Sequence, residues 1–268
     1  MQFNKKRRFK NGYFFLIKSS FNFSIQRNLI MLKISSRFLF LLLLLNSCQA
    51  QQNSPSPLQL MGKTDTHLIG TDYQLQPEAM AALEQMTAAA AKAGINIKVV
   101  SAFRSYERQR AIWNRKYVAN REAGLSPEEN RKKIITYSTL PGTSRHHWGT
   151  DIDIIDGGAT VAGDVLLATH FHEGGPFEKL RLWLEAHAAE YGFYCAYPNN
   201  VERTGFNYEP WHYSYAPIAK RYFEAFQNAD LYKMLKDSLL EGQSNMTKIF
   251  LDDYRNTHIN GVAPFLKN

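Results

Sequence analysis

Apolar residues recur at spacings of three and four through residues 77–94 (PEAMAALEQMTAAAAKAG), with proline at the first helical position and glycine at the end, which predicts a helix. Residues 95–103 (INIKVVSAF) alternate and are β-branched, predicting a strand. The polar run behind them, RSYERQRAIWNRKYVANREAG, sets Tyr106, Ile112, Trp113 and Tyr117 at helical spacing, so Arg104 falls where a strand passes into a helix. A short helix follows from the capping serine Ser126 and its partner Glu129, before a turn at Leu140, Pro141 and Gly142. Residues 150–155 read as a strand with Ile152 and Ile154 on one face and Asp151 and Asp153 on the other. Residues 175–193 predict an amphipathic helix ending near Gly192, residues 207–215 a further strand, and residues 219–227 a helix. The order of residues 228–268 is not decided by any period. Helices and strands without repeats or regular βαβ alternation make an α+β domain.

The first 47 residues read differently. From Met31 the chain runs MLKISSRFLFLLLLLNSCQA, a basic head, an apolar core from Phe38 to Leu45 too short to span a bilayer, and small residues ahead of Cys48. This resembles a bacterial lipoprotein signal peptide over residues 31–47. The resemblance implies lipidation of Cys48 and an exported lipoprotein, anchored to a membrane and facing the periplasm or cell surface. Residues 1–30 are expected to be an extension from a misassigned start codon. The polar, Pro- and Gln-containing residues 48–61 read as a tether, residues 62–226 as the main domain and residues 227–268 as a C-terminal extension.

Charge then changes meaning. Nine of the 32 Lys and Arg residues lie in residues 1–47, which hold no Asp or Glu, leaving 23 basic residues against 24 acidic ones beyond. A nucleic-acid partner, which needs clustered cations to displace counterions, is not expected. With Cys48 lipidated, Cys195 has no disulfide partner and reads as a small buried hydrophobe.

The segment SRHHWGTDIDI (144–154) carries candidate chemistry. A catalytic zinc needs three His, Asp, Glu or Cys ligands and an open position. His146 on a turn and Asp153 on the next strand can converge if the chain turns at Gly149, and EPWHYSY (209–215) offers His212 with Glu209 three residues before it. Glu209 is then placed for general acid–base work on water attacking a carbonyl. Spacing alone leaves His146 open as a hydrogen-bonded turn residue.

The pattern Ser144-x-His146-x-x-Gly149-x-x-x-Asp153 with Glu209-x-Trp211-His212, joined by FRSYERQ (103–109), resembles the zinc D-alanyl-D-alanine carboxypeptidases of the VanY type over roughly residues 65–220. The resemblance implies a small antiparallel sheet flanked by helices, a fold shared with hedgehog and lysostaphin-like domains, and one zinc ion in a groove on the sheet. It makes His146, Asp153 and His212 the metal ligands, Glu209 the catalytic base, and Arg104 a cation that holds substrate and oxyanion. Ser144 and Gln109 match positions lining the peptide pocket. Asp151 stands where many relatives have alanine, and is read as a partner either of a ligand or of Arg104. The expected substrate is a peptidoglycan stem peptide. An endopeptidase, a dipeptidase, an L,D-carboxypeptidase or a non-catalytic wall-binding lipoprotein remain alternatives. His147 is expected to pack or cap, and His170 and His172 to serve a loop. Trp148, Trp211 and Tyr215 are read as groove or core, and residues 119–125 or 157–175 as loops that close the groove.

Overall fold

A computed structural model describes residues 54–267. Four strands, β1 (Ile97–Ser101), β2 (Asp151–Asp156), β3 (Phe193–Cys195) and β4 (His212–Tyr215), form one antiparallel sheet in the order β1-β2-β4-β3. Because side chains alternate along a strand, β2 divides its own sequence. Ile152 and Ile154 turn to an apolar face, where they pack with Leu83 and Met86 of helix α2 (Pro77–Lys92) and Leu180 and Leu184 of α5 (Glu178–His187). Asp151 and Asp153 turn to the other face and are paired across the ladder with Ser214 and His212 of β4. The expected α+β fold, a small antiparallel sheet flanked by helices, is the one observed.

A second core lies beyond that polar face. Helix α3 (Tyr106–Glu122) contributes Tyr106, Trp113 and Tyr117, and α6 (Ala216–Gln227) contributes Tyr222 and Phe226. Helix α4 (Pro127–Ile135) carries the predicted capping box, Ser126 with Glu129, and ends shortly before the turn at Leu140.

Several expected boundaries shift. The helix over 175–193 stops at His187 and continues as a 3-10 turn, Ala188–Tyr191, which Gly192 ends in the left-handed region. The strand over 207–215 shortens to His212–Tyr215: Pro210 has no N–H to give to a ladder, and His212 N–H closes a turn onto the Glu209 carbonyl at 3.1 Å. The tether boundary at 61 is too late, because Ser56 and Gln59 box a short helix α1 (Pro57–Leu60) and both Leu60 and Met61 are 4% exposed in the second core. The extension over 227–268 is not an appendage. Helices α7 (Leu231–Met234) and α8 (Lys248–Thr257) and the turns around them bury Leu235, Leu240, Leu251, Tyr254, Val262 and Leu266 in the same core. The signal-like segment, residues 1–30 and Cys48 lie outside the described residues.

One glycine sets the entry to β2. Gly149 ends the 3-10 turn Arg145–Trp148 at φ 66°, ψ 27°, and a Cβ there would meet Leu68 Cδ2 at 2.4 Å. A side chain in the left-handed region costs about 1–2 kcal/mol before any clash. Gly149→Ala is therefore expected to destabilise the fold by about 2 kcal/mol; an unchanged urea midpoint would contradict this account of the turn.

Candidate metal centre

The pairing of Asp153 with His212 fixes two of the three candidate ligands, and the 3-10 turn before β2 supplies His146. One donor atom from each of the three lies within 4.8 Å of the others, and all three residues are buried. His146 Nε2 is 3.3 Å from Asp153 Oδ2, and His212 Nδ1 is 3.8 Å from Asp153 Oδ1.

Hydrogen bonds behind the imidazoles decide which nitrogen faces the site. His146 Nδ1 is 2.8 Å from the Ala102 carbonyl, which can only accept, so Nδ1 carries the hydrogen and Nε2 turns its lone pair toward Asp153. His212 Nε2 donates to Asp151 Oδ1 at 3.0 Å, leaving Nδ1 toward Asp153 and Glu209, whose Oε2 is 2.9 Å away. Burial works against a charge on His212, but the hydrogen bonds to Asp151 and Glu209 outweigh it and raise its pKa to about 10. A metal at Nδ1 takes the place of that proton.

Asp151 is itself fully enclosed. Arg145 Nε donates to its Oδ1 at 2.9 Å, while the hydroxyls of Thr150 (2.6 Å) and Ser214 (3.0 Å) donate to its Oδ2. Burial alone would raise the Asp151 carboxyl, but Arg145 and the bond from His212 hold it well below the usual range. Burial would likewise raise Asp153, and the neighbouring His146, His212 and Arg104 bring it down instead. Asp153 Oδ1 is nevertheless buried with no hydrogen-bond partner. That leaves an ionised carboxylate oxygen without a hydrogen-bond donor beside two imidazole nitrogens, and two nitrogens plus one carboxylate is a donor set that suits catalytic zinc. The residues present fit the metal.

The centre opens into a cleft of about 950 Å³ that Arg104, Ser144, Glu209 and Trp211 also line. The Arg104 guanidinium donates to Gln109 Oε1 and Ser101 Oγ, both at 3.0 Å, and stands 3.8 Å from Asp153 Oδ2. Gln109 does not line the pocket as expected. It is fully buried on the inner face of α3 and spends its amide on the Thr139 carbonyl at 2.9 Å, so it supports Arg104 from behind. Of the two roles open to Asp151, the structure shows the partner of a ligand, His212, and its cation is Arg145.

His147 is a brace. Its Nδ1 faces the Arg104 carbonyl at 2.6 Å and its Nε2 accepts from Gly142 N–H at 3.0 Å, an arrangement that needs a neutral ring, and burial lowers its pKa to about 3. His170 and His172 contact the Asp164 carbonyl and the Tyr208 hydroxyl, as loop residues do. Trp148 is core and Tyr215 packs between the cores, whereas Asp164, Leu166, Leu167 and Ala168 of the segment after β2 form a cleft wall. Residues 119–125 lie away from the cleft lining. Cys195 is the free cysteine of the described residues, its thiol pushed up to about 12 by burial, which suits packing and not nucleophilic attack.

Two residues of the site escaped the sequence reading. Arg145, between two matched positions, gives no periodic signal of its burial, and Tyr197 sets its ring edge-on to His212 at 5.0 Å from a segment with no motif.

Residues 72–218, more than half of the chain, match the family described as VanY, D-alanyl-D-alanine carboxypeptidase. The chain belongs to the VanY family. Similar relatives include YodJ of Bacillus subtilis strain 168, a carboxypeptidase by provisional name, 32% identical over 158 residues, 59% of this chain and 51% of that one. Another is the D-alanyl-D-alanine carboxypeptidase of Enterococcus faecalis strain V583, 25% identical over 167 residues, 62% of this chain and 57% of that one. The chain thus spans about half the length of these relatives. A solved VanY from a VanB-type resistance cassette, in complex with Zn(II), aligns with a TM-score of 0.46 at 25% identity, covering 64% of this chain and 90% of that one.

Within this VanY chain, Asp151 fixes the tautomer of the candidate ligand His212, and groups of that kind typically contribute about 10–100-fold in metal affinity. Asp151→Asn, which keeps the volume and removes the charge, is expected to weaken zinc binding by at least about ten-fold in a chelator competition. Wild-type affinity would show that Asp151 does not orient His212.

Proposed function

We propose that this chain is a zinc-dependent D-alanyl-D-alanine carboxypeptidase that trims the stem peptides of peptidoglycan. The observation that carries the reading is the orphaned Asp153 oxygen beside two tautomer-fixed imidazoles, with the Glu209 carboxylate on the same cleft surface. Family membership supports it, as does the activity named for the enterococcal relative.

His146, Asp153 and His212 would hold the ion. Zinc bound there supplies Lewis acidity, which polarises a carbonyl and brings the pKa of water toward about 7. The Glu209 carboxylate takes the proton of the water as its oxygen bonds to the scissile carbonyl carbon. It then returns that proton to the departing amine as the C–N bond breaks, releasing D-alanine. Arg104, its guanidinium fixed by Gln109 and Ser101, faces the cleft as a cation for the oxyanion or the peptide's carboxylate. Asp151, with Arg145, Thr150 and Ser214 around it, holds His212 Nε2 and so would leave Nδ1 free to bind the ion.

The same reading extends to the first residues. An apolar segment ahead of Cys48 supports export and lipid attachment at that cysteine, on the outer side of a membrane. Among the described residues no helix is long and apolar enough to cross a membrane.

Glu209→Ala is expected to retain zinc while losing about 10²–10⁴ in turnover of a synthetic pentapeptide ending in D-alanyl-D-alanine, whereas His212→Ala loses the zinc. Elemental analysis beside D-alanine release checks both, and an active Glu209→Ala protein removes the mechanism. Mass spectrometry of digested muropeptides names the bond, and peptide binding without any product would favour a receptor. Cys48→Ala should move the protein from the membrane fraction of cells to the soluble one; persistent membrane association rejects the anchor.

A further inference from the structure

Two of the cleft's walls come from distant parts of the chain. One is the segment leading from α4 into Ser144 and His146, with Thr139 and Ser144 on the cleft surface. The other is the loop from Tyr197 to Glu209, which leads into His212. The family match ends at residue 218, yet residues 254–263, beyond it, touch both.

On the first wall, the buried Tyr254 hydroxyl accepts the Leu140 N–H at 3.2 Å and lies 3.1 Å from Thr143 Oγ1. Thr143 already gives its hydroxyl hydrogen to the Leu140 carbonyl at 2.8 Å, so Tyr254 is the donor to Thr143. Both polar functions of Tyr254 are thereby spent on one turn of four residues. The preceding Thr139 offers its carbonyl to Gln109, which holds Arg104. On the second wall, Thr204 Oγ1 donates to the Thr257 carbonyl at 2.8 Å, and His258 meets the Phe206 ring edge-on at 5.1 Å. Ala263 N–H donates to the Ala196 carbonyl at 2.9 Å, next to Tyr197, the ring that abuts His212. The backbones approach so closely that a Cβ on Gly261 would fall 2.1 Å from the Thr204 carbonyl oxygen. Tyr254, Thr257 and His258 sit three and four residues apart, at the C-terminal end of α8, so one turn of helix reaches both walls.

We infer that residues 254–263 are a clasp that sets the spacing of the two cleft walls, with Tyr254 as a positioning residue for Arg104 on one side and Glu209 on the other. The inference rests on the carboxypeptidase reading for its effect on substrate, but its structural half does not. Loosening either end of the clasp frees both walls, because the same helical turn holds them.

Tyr254→Phe and Thr204→Val each delete a hydroxyl while keeping the shape of the side chain. Hydrogen exchange of the full chain, read by mass spectrometry, is expected to quicken by about ten-fold at residues 138–144 and at residues 203–209 in both variants, with β2 unchanged. Quickening confined to the wall that each variant touches, or none, overturns the clasp. With the D-alanyl-D-alanine pentapeptide, both variants should keep full zinc content and lose about five-fold or more in kcat/KM, chiefly through KM. A lowered Tm with wild-type KM and kcat marks a merely structural contact and also overturns it. If the wild-type chain releases no D-alanine, the carboxypeptidase reading fails, and the exchange result alone decides the clasp.

Discussion

The pairing of β2 with β4 is the constraint on which the site depends. Opposing Asp153 to His212 and Asp151 to Ser214 places a candidate ligand carboxylate beside a candidate ligand imidazole, and a second carboxylate behind that imidazole. A slip of one residue would turn Ile152 and Ile154 toward the cleft and the aspartates into the apolar core, at a cost no nearby cation could offset. The apolar face and the metal face therefore enforce each other: the packing of Ile152 and Ile154 under α2 and α5 is what holds the aspartates in place.

Much of this was legible in the chain. Alternation in DIDI separated the two faces of β2, and the capping signals at Pro77 and Ser126 marked helices that formed where expected. The candidate site was legible because its residues come as short motifs on local turns, each with its own geometry. What failed was information carried between segments. β3 has three residues, too few for a period to show, and exists because β4 offers it an edge. Gln109 lies in a matched motif, but only the packing of α3 shows that it faces inward to Arg104. The C-terminal residues pack through short helices and single apolar anchors spaced around turns, so no window of sequence displays the face that Leu235, Leu251 and Tyr254 build together.

The fold also separates stiffness from exposure. Arg104 lines the cleft, and apart from the Asp153 carboxylate 3.8 Å from its guanidinium the contacts that orient it lie behind it: Gln109 and Ser101 on its guanidinium, His147 on its carbonyl. His147 can serve because burial keeps it neutral, with one nitrogen donating and the other accepting; a protonated ring would lose the bond from Gly142. The substrate-facing groups are thus held by neighbours that need not touch substrate, which keeps the positions fixed while the cleft stays open to a peptide.

Electrostatics explains why Asp151 and Arg145 belong together. A carboxylate hydrogen-bonded to a ligand imidazole strengthens that ligand, but alone it would add an uncompensated buried charge beside Asp153 and Glu209. Arg145, pinned between Asp151 and the face of Trp148 at 4.7 Å, cancels that charge within one hydrogen bond, so the carboxylate orients His212 without adding net charge to the centre. The converse also holds. An alanine at 151 would leave Arg145 as a buried cation next to the place of an incoming divalent ion, and repulsion between like charges would then oppose metal binding. The two residues are therefore one device, and an arginine at 145 is compatible with this centre because an aspartate stands at 151.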